Sequence, residues 1–145
     1  MAATSCNRCF EAIALIMRYS IYIGPMPYHI IKEPKGNYKK FFGHITGSEF
    51  LQSVFENHGD PEFDRMRYTI NDLLDVEGHS VTEQSLEIAV ALGLRVAKHN
   101  PNRKVAVVTD NAMIRHLVAV SISVAGQPLE VFENLDDARA WADSL

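Results

Sequence analysis

The sequence predicts one domain of the α/β class, with a mostly parallel sheet, an N-terminal hairpin and flanking helices. Apolar positions follow strand and helix periods in turn, in the order ββαβαβαβα from residue 27 onward. One predicted strand is a continuous apolar run, which is typical of a parallel strand buried on both faces. The length of 145 residues suits a single domain with its own core.

A hairpin opens the predicted domain. Segment 28–33 alternates as a strand does, segment 34–37 has the composition of a turn, and segment 38–45 is rich in β-forming residues. Lysines are expected to give this hairpin a basic face: Lys32, Lys35, Lys39 and Lys40. Such lysines usually protect a sheet edge from aggregation, and they also suit contact with an acidic partner or anionic lipid headgroups.

The first helix is introduced by the spacing of a capping box. Thr46 and Glu49 stand three residues apart, and apolar residues follow them at helical intervals. Gly59 and Pro61 are expected to end this helix, because glycine and then proline commonly follow the last helical residue.

A short strand and a second helix come next. The strand is predicted at 67–72, and the loop after it is acidic, with Asp72 and Asp75. Ser80 and Glu83 repeat the capping-box spacing, which predicts that Ser80 caps an amphipathic second helix.

The remaining elements alternate between strand and helix. Segment 105–108 is the continuous apolar run and is expected to be central in the sheet. Asp110 or Asn111 caps a third helix that is expected to reach about residue 125. A last strand at 129–132 precedes a terminal helix, and the alternation implies right-handed crossovers.

Composition disfavours several classes of function. The 14 basic and 18 acidic residues leave a net charge of −4, which disfavours nucleic-acid binding because that affinity comes mainly from Lys and Arg. No apolar run approaches the roughly 18 residues needed to span a bilayer. The apolar run 12–17 lacks the cleavage pattern of a signal peptide, so a cytoplasmic protein is expected.

Residues 1–26 are predicted to form a tail, and residues 27–145 the domain. Cys6 and Cys9 form a lone CxxC motif in that tail. A zinc site needs four ligands and the chain has no second cysteine pair, so these residues are expected to be plain reduced cysteines.

The order of elements, together with four segments, resembles the SpoIIAA-like branch of the STAS fold, also described as STAS/SEC14-like. The segments are GHIT at 43–46, NDL at 71–73, KVAVV at 104–108 and VFENLDDARAW at 131–141. The resemblance covers about residues 27–145. It implies a small regulatory domain that docks onto protein partners without catalysis, and its SEC14 side implies the alternative of a module for an apolar ligand or lipid.

The resemblance also implies a switch at the start of the second helix. Anti-anti-sigma members carry a phosphorylatable serine there, and the matching place in this chain falls near Thr82, with Ser80 as the other hydroxyl within reach. The chain lacks the aspartate before and the glycine after that serine. A phosphate would be favoured by the helix dipole but repelled by Glu83, and the alternative is that Ser80 only caps the helix.

Acidic residues suggest both a docking loop and an enzyme alternative. Asp72, Asp75, Asp110 and Asn111 are the candidate docking residues, because they are expected at the carboxyl edge of the sheet, where α/β proteins bind ligands. Asp72 and Asp110 could also hold Mg²⁺ for phosphoryl chemistry. The chain has no phosphate loop and no nucleophile elbow, so we expect no catalytic residue, metal or cofactor.

The third helix is apolar over an arc of roughly 200°, against little more than 100° for an ordinary surface helix. Its candidate interface or pocket-wall residues are Met113, Ile114, Leu117 and Val118. Three explanations stay open: deeper burial within the monomer, an interface in a homodimer or with another protein, and one wall of a groove for an apolar ligand or lipid.

Overall fold

The computed structural model describes residues 26–122 and 124–144, and it confirms the predicted fold class and element order. The elements are β1 (Tyr28–Glu33), β2 (Gly36–Thr46), α1 (Gly47–His58), a 3₁₀ turn (Phe63–Arg65), β3 (Tyr68–Ser80), α2 (Glu83–Ala97), β4 (Lys104–Val108), α3 (Ala112–Ile122), β5 (Leu129–Phe132) and α4 (Leu135–Asp143). Apart from Met26, the predicted tail with Cys6 and Cys9 lies outside the described residues, so its boundary stays a prediction.

The five strands form one sheet in chain order, β1-β2-β3-β4-β5. β1 pairs with β2 antiparallel, as the hairpin prediction requires, and the other three pairings are parallel. Side chains alternate between the two faces of a strand, so each strand offers one set of residues to each face. Helices α1, α2 and α3 lie on one face of the sheet, and α4 covers the other.

The face under α4 carries a well-packed core. Its buried members are Tyr38, Tyr68, Ile70, Ala106, Val108, Ala138 and Ala142. The two alanines stand four residues apart on α4, so they lie on one side of that helix and let its backbone approach the strands. Each buried Ile or Val side chain contributes roughly 1.5–3 kcal/mol.

Strand β3 is much longer than predicted. It continues through the predicted acidic loop to Ser80, because β2 is equally extended and pairs with it as far as Thr46 opposite Ser80. This pairing overrides the weak strand preference of the acidic residues and Gly78. Bulges interrupt the register of β2, and Gly43 there has a φ of 67°, a conformation that favours glycine.

The first capping box is confirmed, and the second is wrong. Thr46 Oγ1 accepts from the Glu49 N–H at 3.2 Å while the Glu49 carboxylate accepts from the Thr46 N–H at 2.9 Å. The cap of α2 is Thr82, whose Oγ1 accepts from the Ser85 N–H at 3.2 Å. Ser80 cannot cap the helix because it is still the last residue of β3.

Asn111 is the cap of α3, as one of the two predicted alternatives. Its side-chain oxygen accepts from the N–H groups of Met113 and Ile114 at 2.9 and 3.1 Å. Helix α3 ends earlier than expected, at Ile122.

Candidate functional site

An apolar pocket of about 190 Å³ lies between the sheet and helices α1, α2 and α3. Its floor consists of strand side chains that share the face opposite α4: Ile45, Leu73, Val105, Val107 and Leu129. Its walls include Phe50 and Val54 of α1, Leu86, Ala89 and Val90 of α2, and Ile114, Leu117 and Val118 of α3. Small helix residues, Ala89 and Gly93 among them, leave the space over the floor unfilled.

Helix α3 divides its wide apolar arc between the pocket and the outer surface. Ile114, Leu117 and Val118 line the pocket. Met113 and Ile122 are not part of the pocket lining, and 60% and 43% of their surface is exposed. No residue of α3 is fully buried, so the explanation by deeper burial within the monomer is wrong.

Lys39 lies at a polar end of this pocket. It is only 2% exposed, and its Nζ donates to the backbone carbonyl of Ser53 at 2.9 Å. Burial, with a smaller contribution from the charge of Arg103, lowers the pKa of Lys39 to about 7. The prediction that Lys39 belongs to a basic face of the hairpin is therefore wrong. Side chains alternate along β2, so Lys39 faces the pocket while its neighbour Lys40 faces the opposite side of the sheet.

Arg103 stands at the same polar end, just before β4. It is 3% exposed, its Nη1 donates to Thr69 Oγ1 at 2.6 Å, and its guanidinium lies over the Phe63 ring, 4.6 Å from the centroid. Burial lowers the pKa of Arg103 to about 10, so it stays charged at neutral pH. Its buried Nε–H has no hydrogen-bond partner within residues 26–122 and 124–144.

Neutral polar groups complete the polar end. Asn37 donates to Asn57, and Asn57 donates to Thr69 Oγ1 at 3.2 Å. His58 also lines the pocket, and burial, together with the charges of Arg103 and Lys39, lowers its pKa to about 3. His58 is therefore neutral near pH 7, and the pocket has an apolar body with a cationic end.

The predicted docking residues are not brought together as one loop. Asp72 is 2% exposed on the α4 side, where it accepts from the Tyr38 hydroxyl and from the Leu74 N–H at 3.0 Å. Its prediction as a loop residue is wrong, because β3 continues through it. Asp75 is exposed and pairs with Lys40 at 2.9 Å.

Asp110 and Asn111 lie exposed between β4 and α3. Asp72 therefore serves a structural network, and the enzyme alternative loses one of its two carboxylates. No group of three or more His, Cys, Asp or Glu in the described part of the chain is placed to hold a metal ion.

The two predicted switch residues are both exposed at the end of β3 and the start of α2. Ser80 Oγ lies 3.0 Å from His44 Nε2. Thr82 is the helix cap, so its hydroxyl oxygen is already engaged by the Ser85 N–H. Ser80 is the freer of the two hydroxyls.

Sequence reasoning missed the cationic end of the pocket. The signal for Lys39 was present, because adjacent lysines 39 and 40 on a strand must point to opposite faces and a mostly parallel sheet is covered on both. Nothing local marked Arg103, whose partner Thr69 is 34 residues away along the chain.

The fold defines the class of this protein: a single α/β domain with a mostly parallel five-stranded sheet and helices on both faces. The chain belongs to the SpoIIAA-like family, whose sequence profile matches residues 39–143. No curated protein matches the chain. No helix in the described part of the chain is long and apolar enough to cross a membrane.

Solved structures share the fold at low sequence identity. An anti-sigma factor antagonist from Mycobacterium paratuberculosis has a TM-score of 0.58 at 16% identity, over 81% of this chain and 93% of that chain. An uncharacterised protein with a SpoIIAA-like fold from Shewanella loihica PV-4 has a TM-score of 0.53 at 18% identity, over 79% and 91%. The anti-sigma factor antagonist SpoIIAA, in its unphosphorylated form, has a TM-score of 0.53 at 8% identity, over 78% and 94%.

Proposed function

We propose that this domain is a non-catalytic regulatory module that binds a small apolar ligand in the pocket between its sheet and helices α1, α2 and α3. The pocket itself carries this proposal, because about 190 Å³ of space is lined mostly by apolar side chains from both layers. An apolar protein cavity of about 150 Å³ binds benzene, so this pocket has room for an alkyl group of about six to eight carbons.

A regulatory role is supported by the family and by the structural hydrogen bonds of the acidic residue Asp72. The similar solved structures include anti-sigma factor antagonists. The buried carboxylate of Asp72 joins β3 to β2 through the Tyr38 hydroxyl and accepts from the Leu74 N–H of its own strand, which argues against a role in turnover. The proposed location is the cytoplasm, as predicted from the sequence.

Binding of 1-octanol to the ¹⁵N-labelled protein tests the proposal. In NMR titrations, octanol is expected to shift the amide resonances of pocket residues, and in thermal melts it is expected to raise the Tm because it binds only the folded state. Ala89→Phe places a ring in the pocket and is expected to abolish both effects. Ala91→Phe, on the exposed side of the same helix, is the matched control and should keep them.

Octanol binding to the wild-type protein and to Ala91→Phe, but not to Ala89→Phe, supports a ligand site in this pocket. Absence of octanol binding to the wild-type protein, or equal binding to Ala89→Phe and Ala91→Phe, contradicts a ligand site in this pocket.

A second candidate function is docking onto a protein, either a second copy of this chain or another protein. The observation that favours it is the set of exposed apolar side chains on α3 and beside it: Met113, Val120, Ile122, Val124 and Leu94. The same helix forms a wall of the pocket, so a bound ligand is placed to shift the docking surface.

Sedimentation velocity is expected to show that the wild-type protein is a dimer and that the double variant Met113→Ser/Ile122→Ser is a monomer. A monomeric wild type excludes the homodimer.

Phosphorylation is the proposed route of control for this docking. Both residues are exposed, and Ser80 is favoured over Thr82 because its hydroxyl lies beside His44 and does not cap a helix. Phosphopeptide mapping of the protein from its own cells is expected to find phosphate on Ser80. Phosphate on Thr82 alone would contradict this preference.

A further inference from the structure

We propose that the cationic end of the pocket, formed by Lys39 and Arg103, binds the carboxylate of an amphipathic acid whose short alkyl chain fills the apolar part. This inference rests on the proposed function, because it names the chemical class of the ligand for the same pocket. Two independent features support it: the charges at this end lack a counter-ion, and one rigid donor there lacks a partner.

The first feature is the unbalanced charge. Lys39 and Arg103 are 2% and 3% exposed, and neither forms an ion pair with a carboxylate in the described part of the chain. Glu56 is the carboxylate that favours the charged form of Lys39, and its influence is weaker than burial or the charge of Arg103. Buried charges are usually paired because an isolated charge is costly away from water, so this pair of cations is suited to an anion.

The second feature is the orientation of the Arg103 guanidinium. Its Nη1 is held by Thr69 and its plane is held over the Phe63 ring, so the group is fixed before any ligand arrives. The buried Nε–H stays unpartnered within the described residues, and Arg103 lines the pocket. A guanidinium edge of this kind is suited to donate two parallel hydrogen bonds to a carboxylate.

Lys39 adds a second point of contact. Its ammonium has three donor positions, of which the Ser53 carbonyl takes one. Lys39 and Arg103 both line the same cavity as Leu73 and Val107. A ligand with a charged head and an apolar tail therefore satisfies both ends at once, and the cavity volume limits the tail to about eight carbons.

Calorimetric titration with octanoate and with 1-octanol at pH 7 tests the inference, since the two probes share a chain and differ in charge. Octanoate is expected to bind the wild-type protein about 10- to 100-fold more tightly than octanol, the ratio for one or two charged hydrogen bonds. Lys39→Met should remove most of this preference while octanol still binds. Lys40→Met changes the adjacent lysine on the opposite face and should leave both affinities unchanged.

Arg103→Lys provides a second variant, which keeps the charge and loses the planar donor edge. It is expected to weaken octanoate binding about tenfold and to leave octanol binding unchanged. Equal affinity of the wild-type protein for octanoate and octanol overturns the carboxylate site but leaves the apolar pocket standing. Failure of both probes to bind overturns the proposed function itself. Circular dichroism of each variant confirms that the fold is retained.

Discussion

Replacing Lys39 by Met tests whether the protein carries a costly buried cation. Met is nearly the same length and volume, so the change removes the charge without leaving a cavity. Lys39 is 2% exposed, and burial lowers its pKa from 10.5 to about 7. The folded protein therefore holds this proton less tightly than the unfolded chain does.

The expected magnitude follows from the two pKa values of Lys39. With a pKa of 10.5 in the unfolded chain and about 7 in the folded protein, Lys39 costs the fold about 4 kcal/mol at pH 7. Its hydrogen bond to the Ser53 carbonyl returns about 1 kcal/mol. Lys39→Met is therefore expected to raise the free energy of unfolding by about 3 kcal/mol at pH 7.

The pH dependence has a defined sign. Between pH 7 and 10.5 the unfolded chain binds more protons at this position than the folded protein, so the stability of the wild type rises with pH. The contribution from Lys39 grows by about 2 kcal/mol between pH 7 and pH 9. Below pH 7 both states are protonated and the cost stays constant, so the advantage of Lys39→Met should shrink to about 1 kcal/mol at pH 9.

Urea unfolding followed by circular dichroism at pH 7, 8 and 9 measures these differences. Lys40→Met is the control: Lys40 is partly exposed and paired with Asp72 and Asp75, which raises its pKa, so its stability contribution is lost only above this pH window. That variant should change stability by less than about 1 kcal/mol at every pH. A Lys39→Met protein less stable than the wild type at pH 7, or a difference that is the same at pH 7 and 9, refutes the reasoning.

Further substitutions test the local structure by the same unfolding assay. Thr82→Ala removes the cap of α2 and should cost about 1 kcal/mol, whereas Ser80→Ala should stay within about 0.5 kcal/mol; equal losses would contradict the assigned cap. Gly93→Ala adds a methyl group within α2 in ordinary van der Waals contact with Gln127 Nε2, at 3.6 Å, and should stabilise by about 1 kcal/mol. Gly36→Ala should cost about 1–3 kcal/mol, because the new Cβ would clash with the Tyr68 carbonyl oxygen; no loss would show that the strands separate easily here.

Local sequence signals were sufficient where partners are near in the chain. The capping box of Thr46 and Glu49 involves residues three apart, and both of its hydrogen bonds are present. The same spacing misled at Ser80, because pairing with Thr46 on β2 keeps Ser80 within the strand. A capping signal predicts a helix start only where no neighbouring strand competes for the same backbone groups.

The roles of the polar residues depended on distant partners. Asp72 receives the hydroxyl of Tyr38 from 34 residues away, and Arg103 reaches Thr69 over the same separation. Each role depends on strand register, and a one-residue change of register would turn the side chain to the other face of the sheet.

The sequence by itself determined the α/β class, the order of the elements and the unusual apolar surface of the third helix, because hydrophobic periodicity is a local property of the chain. Only the tertiary structure decided that this helix covers a pocket without filling it, and that Lys39 and Arg103 lie at the pocket's polar end. Whether an alternating residue is buried depends on what covers its face, and that cover comes from elements far away in the sequence.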